Sequence, residues 1–133
     1  MHKLRRAASA LAAVLLISLV PATALAANQS LKVRGPHNVT AGSNPVYTIT
    51  GKSQGTRGLA VYADTRRCAR KVVREQVRHS SSNPVKYLVS GTFTHTVQIT
   101  SSKVGSHYIC AYLYQRHSPF TTYLHAGLHY TTH

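Results

Sequence analysis

Only two carboxylates, Asp64 and Glu75, stand in a chain of 133 residues that carries 16 lysines and arginines, nine histidines and two cysteines. General acid–base work by a carboxylate pair needs two acids in one site. A carboxylate-oriented Ser-His triad would also need one of them. Asp64 ends an apolar segment, where it reads as a turn acid paired with a neighbouring arginine, and Glu75 lies within a basic run. No catalytic residue, cofactor or small-molecule substrate is assigned, and the chain is not expected to be an enzyme.

The histidines are the next chemistry to weigh. His125, His129 and His133 share one side of an extended segment. Intervals of four along a strand separate them by roughly 13 Å, too far for one ion whose ligand nitrogens sit at about 2.1 Å. A metal site would need a cross-strand partner such as His107, His95 or His117, and no metal site is expected. His95 alternates with apolar residues and reads as an edge-of-core side chain. The tyrosines, among them Tyr112 and Tyr114, could stack on bases or sugars beside basic residues. Sheets, however, use tyrosine mostly for cross-strand packing.

Cys68 and Cys110 admit one pairing. In an exported protein a disulfide is the default state for such a pair. Closing that loop stabilises by roughly 4 kcal/mol on the chain-entropy argument. Export follows from residues 1–26. Lys3, Arg5 and Arg6 precede an apolar run from Ala7 to Val20, and Ala24-Leu25-Ala26 forms a small-x-small cleavage site. Residues 27–133 then form a single secreted domain with no apolar stretch of membrane length. Asn28-Gln29-Ser30 and Asn38-Val39-Thr40 match the glycosylation sequon, which carries weight only in a eukaryotic secretory pathway.

Charge is the second strong signal. Removing the three leader cations takes the formal net charge from +14 to +11. Such a field attracts anionic polymers and surfaces, without specifying which. Arg66, Arg67, Arg70, Lys71, Arg74 and Arg78 concentrate it in one window and are the candidate anion-binding residues. Their spacing of three and four would stack most of them on one face of a short helix, with Val72, Val73 and Val77 to the other side. Glu75 could pair with Lys71 or Arg78 on such a helix. β-branched valines leave an irregular connection open as the alternative.

The elements that must position these groups are short and period-two. Segments at Leu31–Arg34, Pro45–Thr50, Leu59–Asp64, Val85–Val89, Phe93–Thr100, His107–Tyr114 and Thr121–Thr131 alternate or run apolar, with turn residues between them. Gly51–Gly58 reads as a polar loop. Tyr108-Ile109-Cys110 places a tyrosine two residues before a strand cysteine, which resembles the corner of immunoglobulin-like domains. The chain resembles the broad immunoglobulin-like or fibronectin-like superfamily of small secreted bacterial domains. The resemblance implies an all-β, antiparallel sandwich of about seven strands with one disulfide, in which Leu59–Asp64 and His107–Tyr114 are antiparallel neighbours. An antibody-type domain has a second-strand cysteine and a tryptophan, and this chain has neither. Gly105 also lies one residue farther from the tyrosine than the usual motif puts it.

That fold hosts adhesion, binding and structural roles. The expected function is a secreted non-catalytic binding or structural module whose partner is an anionic polymer, a cell-surface component or another protein. A cationic membrane-active protein is the first alternative, and a secreted metal-dependent or hydrolytic enzyme the second.

Overall fold

A computed structural model describes residues 28–79 and 84–133; the leader assigned to residues 1–26 lies outside them. Among the described residues, six strands and one helix follow one another: β1 (Ser30–Arg34), β2 (Asn38–Val39), β3 (Val46–Asp64), α1 (Val72–Arg78), β4 (Val85–Gln98), β5 (Gly105–Tyr114) and β6 (Thr122–Thr132). The strands form one sheet in the order β1-β3-β5-β6-β2, with β4 against β3. All pairs are antiparallel except β2 with β6. The sheet curls until its two ends face each other, which is the all-β sandwich that the patterning predicts. No helix among the described residues is long and apolar enough to cross a membrane.

Two pairs of expected segments are fused. Pro45–Thr50 and Leu59–Asp64 belong to one strand, β3, and the segments around Val85–Val89 and Phe93–Thr100 belong to β4. The stretch Gly51–Gly58 is therefore strand, not loop. β4 accompanies β3 from Val46 to Val61, while the other edge of β3 pairs first with β1 and then with β5. A strand that changes neighbours must bend, and the register shift between Ser53 and Arg57 is where it does. Gly55 adopts φ +74° there, and Gly91 on β4 adopts φ +63° opposite Ser53. Positive φ is what glycine supplies without steric cost, and bulges use it to bend strands.

The core lies inside the curl. Tyr47, Ile49, Leu59, Val61, Phe93, Val97, Ile109, Leu113, Leu128 and Tyr130 fill it. Each fully buried Ile or Leu is worth roughly 1.5–3 kcal/mol against exposure. The Tyr47 and Tyr130 rings meet at 5.3 Å, and the Tyr47 hydroxyl donates to the Pro36 carbonyl at 3.0 Å. The stretch 109–114 of β5 is buried on both faces. Ile109, Ala111 and Leu113 face the core, while Cys110, Tyr112 and Tyr114 form a second cluster with Ala60, Tyr62 and Val72. That second face is covered by the connection carrying α1.

Candidate anion-binding face and the acidic pair beneath it

The basic window is pinned to the sheet at its start. Cys68 is bonded to Cys110, with Cα atoms 5.5 Å apart, inside the usual range for an unstrained bridge. The pairing expected from the sequence is thus the pairing in the structure. The Tyr112 hydroxyl donates to the Ala69 carbonyl at 2.6 Å, and Thr122 on β6 accepts from the Val72 amide at 2.8 Å. The latter satisfies one of the amides that a helix start leaves unpaired. Lys71, at the N-cap, has no side chain suited to that task.

The helix over 72–78 exists, but its buried face differs from the expected one. Val72 and Glu75 point inward, whereas Val73 is partly exposed and Val77 is 76 % exposed. Glu75 is fully buried, and of the two partners its spacing offers it takes Arg78. The reason is tertiary. β3 ends at Asp64 directly beneath the helix, so the inward stripe falls on Val72, Glu75 and His79, three and four residues apart. Arg78 leans inward too. Its Nη1 donates to the Arg67 carbonyl at 2.8 Å and lies 3.5 Å from both Asp64 Oδ2 and Glu75 Oε2.

The six candidate cations therefore divide. Arg66 and Arg78 face carboxylates, Arg66 from a side chain that is 62 % exposed. Arg67, Arg70, Lys71 and Arg74 are exposed, and among the described residues no carboxylate pairs with them. Arg70, Lys71 and Arg74 line a recess of about 440 Å³ together with Arg78 and Ala69. A second recess of about 440 Å³ lies beside it, where Arg70 and Lys71 adjoin Val73, Pro119 and Phe120. This apolar margin was missed because Phe120 comes from the β5–β6 loop, distant in sequence.

The two acids of the chain meet under the helix. Burial alone would raise the Asp64 carboxyl. The Arg66 amide at 2.9 Å, the adjoining Glu75 carboxyl, His79 and Arg66 outweigh burial and hold it below the usual carboxylate range. Glu75 is raised, first by burial and then by the proximity of Asp64, against the pull of Arg78 and His79. Asp64 is thus the turn acid paired with an arginine that the sequence suggests, and it is also the neighbour of Glu75. His79 Nε2 lies 3.5 Å from Asp64 Oδ2. The sequence signal available for His79 is its spacing of four from Glu75.

Other candidates are placed elsewhere. Tyr112 and Tyr114 are buried under the helix and cannot present a stacking surface to a polymer. Tyr108 leans on His129 at 5.0 Å, while the hydroxyl bonds that tie loops to the sheet come from Tyr47 and Tyr112. His95 stacks on Tyr87 at 4.0 Å, His107 stacks on Tyr130 at 5.2 Å, and His125 faces Tyr112. His133 reaches Asn38 at 3.3 Å.

No family model matches this chain, and no curated protein does. Solved structures do resemble it. The CARDB domain of the PF1109 protein from Pyrococcus furiosus, crystallised with di-metal ions, superposes with a TM-score of 0.55. It is 13% identical, over 79% of this chain and 87% of that one. The solution structure of the same domain gives 0.50 at 11% identity, over 79% and 94%. The superoxide reductase (neelaredoxin) of Ignicoccus hospitalis gives 0.50 at 13% identity, over 83% and 87%. At such identities the likeness establishes the fold alone: the chain has an immunoglobulin-like β-sandwich architecture of the kind seen in CARDB domains.

Proposed function

We propose that this protein is an exported, non-catalytic binding module whose helix–loop face engages an anionic polymer or surface. The observation that carries the reading is the convergence of exposed Arg70, Lys71 and Arg74 around one recess, with no carboxylate paired to them among the described residues. Unpaired cations on a rigid face release the counterions of a polyanion when they bind it. Two anchors supply the rigidity: the Cys68–Cys110 bridge and the Tyr112–Ala69 hydrogen bond. Export is supported by the sequence of residues 1–26 and fits a disulfide-bonded domain. The non-catalytic reading is supported by the full burial of Glu75, one of the chain's two acids.

The test is a variant carrying Arg70→Gln, Lys71→Gln and Arg74→Gln, titrated against heparin as a model polyanion across a salt series. Its affinity at low salt should fall at least tenfold, and the slope of log K against log salt should shrink by up to three contacts' worth. Unchanged affinity and slope would reject the face as the binding site.

A second reading, attachment to an anionic membrane surface, is favoured by one feature. Val73 and Val77, four apart on α1, and Phe120 stand exposed beside the same cations. Cations flanking an exposed apolar stripe suit the interface of an anionic bilayer. Retention on anionic vesicles that Val77→Ser and Phe120→Ser abolish would select this reading over a soluble polymer.

A further inference from the structure

We propose that Asp64, Glu75 and His79 form a binding site for a single first-row divalent transition-metal ion of zinc type. One ligand atom from each lies within 4.8 Å of the others. Two carboxylates and an imidazole, placed by the end of a strand and one face of a helix, are a donor set for zinc and its neighbours. In a tetrahedral zinc site with bonds of about 2.0–2.1 Å, ligand atoms sit about 3.4 Å apart. The Asp64 Oδ2 to His79 Nε2 distance is already 3.5 Å. Glu75 would close the triangle by a side-chain torsion of its carboxylate.

The site is more than a cluster of acids. Glu75 is fully buried, and its carboxylate is met only by the Arg78 guanidinium at 3.5 Å and by the adjoining Asp64 carboxyl. Asp64 is 5 % exposed, and its Oδ2 is met at 3.5 Å by Arg78 and by His79. Buried carboxylates are ordinarily paired, hydrogen-bonded or bound to a metal. These two are the only acids in the chain, and both turn to the same point. An access path exists as well. Asp64 and His79 line a recess of about 290 Å³ that also meets Thr65 and Ser102. Three protein ligands leave one position of a tetrahedral site to be filled.

Arg78 is the competitor. Its Nη1 sits 3.5 Å from each carboxylate, longer than a good charge-assisted hydrogen bond. The guanidinium and a dication cannot occupy that position together. The Arg78 side chain is 30 % exposed, and turning it outward would give up its 2.8 Å bond to the Arg67 carbonyl. The metal site shares only this residue with the proposed anion-binding face and stands or falls independently of it.

The oxidised protein, freed of metal with a chelator, is titrated with Zn²⁺ by calorimetry and with Co²⁺ by visible absorption. One equivalent should bind, and Co²⁺ should show the ligand-field bands of a tetrahedral centre that Zn²⁺ displaces. His79→Gln and Glu75→Gln should each weaken Zn²⁺ at least tenfold. Arg78→Gln, which removes the competing cation, should tighten it severalfold, an effect that a merely structural cluster would not produce. Circular dichroism and the denaturation midpoint of each variant report whether it is folded, and the gain in Arg78→Gln does not depend on the survival of the other two. No stoichiometric binding, or binding indifferent to both His79→Gln and Arg78→Gln, overturns the proposal, because the ion would then sit on surface histidines.

Discussion

Gly127 tests how closely the basic connection is pressed onto the sheet. It lies on β6 opposite Cys110, on the outer face. A Cβ added there would come within 2.9 Å of Cys68 Sγ and 3.7 Å of Cys68 Cβ. The first distance is below any ordinary contact, while the second is normal. A sulfur held by a disulfide cannot swing aside as a flexible side chain can. Overpacking of this kind costs about 1–3 kcal/mol. Without the sulfur, replacing a strand glycine by alanine should recover about 0.5–1 kcal/mol through the entropy of the unfolded chain. Gly127→Ala should therefore destabilise the oxidised protein by up to about 2.5 kcal/mol net of that gain. In a Cys68→Ala/Cys110→Ala background the same change should be neutral or slightly stabilising. Urea denaturation of the four proteins closes a double-mutant cycle with a coupling of about 1–3 kcal/mol, the overpacking term alone. Equal destabilisation in both backgrounds would refute the placement of Cys68 over Gly127, and with it the docking of the helix.

Two further changes probe other parts of the account. Burial, and then the charge of Tyr130, push the Tyr47 hydroxyl from its ordinary value of 10.0 up to about 12. The folded state thus holds this proton more tightly than the unfolded chain. Its contribution is complete below pH 10 and is lost as pH rises from 10 towards 12, about 3 kcal/mol in all. Denaturation midpoints should fall steeply over that window and less so in Tyr47→Phe; flat midpoints would refute the burial of this hydroxyl. Tyr112→Phe deletes the 2.6 Å bond to Ala69 and leaves a buried carbonyl unsatisfied. It should cost about 1–3 kcal/mol and speed hydrogen exchange in 69–78 more than in β5, whereas uniform exchange would count against the anchor.

The architecture was legible because alternation survives in the edges of the sandwich. In β6, Leu128 and Tyr130 face the core while His125, Gly127 and His129 face out, as period two requires. The cysteine pair was legible because two cysteines allow one bridge. The long bent strand was not, since Gly51, Ser53, Gly55 and Gly58 have the composition of a loop whether they turn the chain or bend a strand. Their role is decided by β4 alongside, a partner more than thirty residues away. The helix face was misassigned for a similar reason. Local spacing offers Glu75 the Arg78 partner it takes, but nothing local says that Asp64 lies beneath it and that the pair is buried. The six cations could be read from the sequence, and so could the pairing of Asp64 with a neighbouring arginine, but not that Arg78 reaches both carboxylates.

The central claim is that the helix–loop face recognises anions rather than merely carrying charge. The most direct measurement is binding of the oxidised protein to a panel of polyanions, including heparin, a polyphosphate, single-stranded DNA and anionic vesicles, from low salt to about 150 mM. The account predicts that binding to one class persists at physiological salt and is lost in the Arg70→Gln/Lys71→Gln/Arg74→Gln variant. Uniform weak binding that vanishes with salt, equally in the variant, would contradict it.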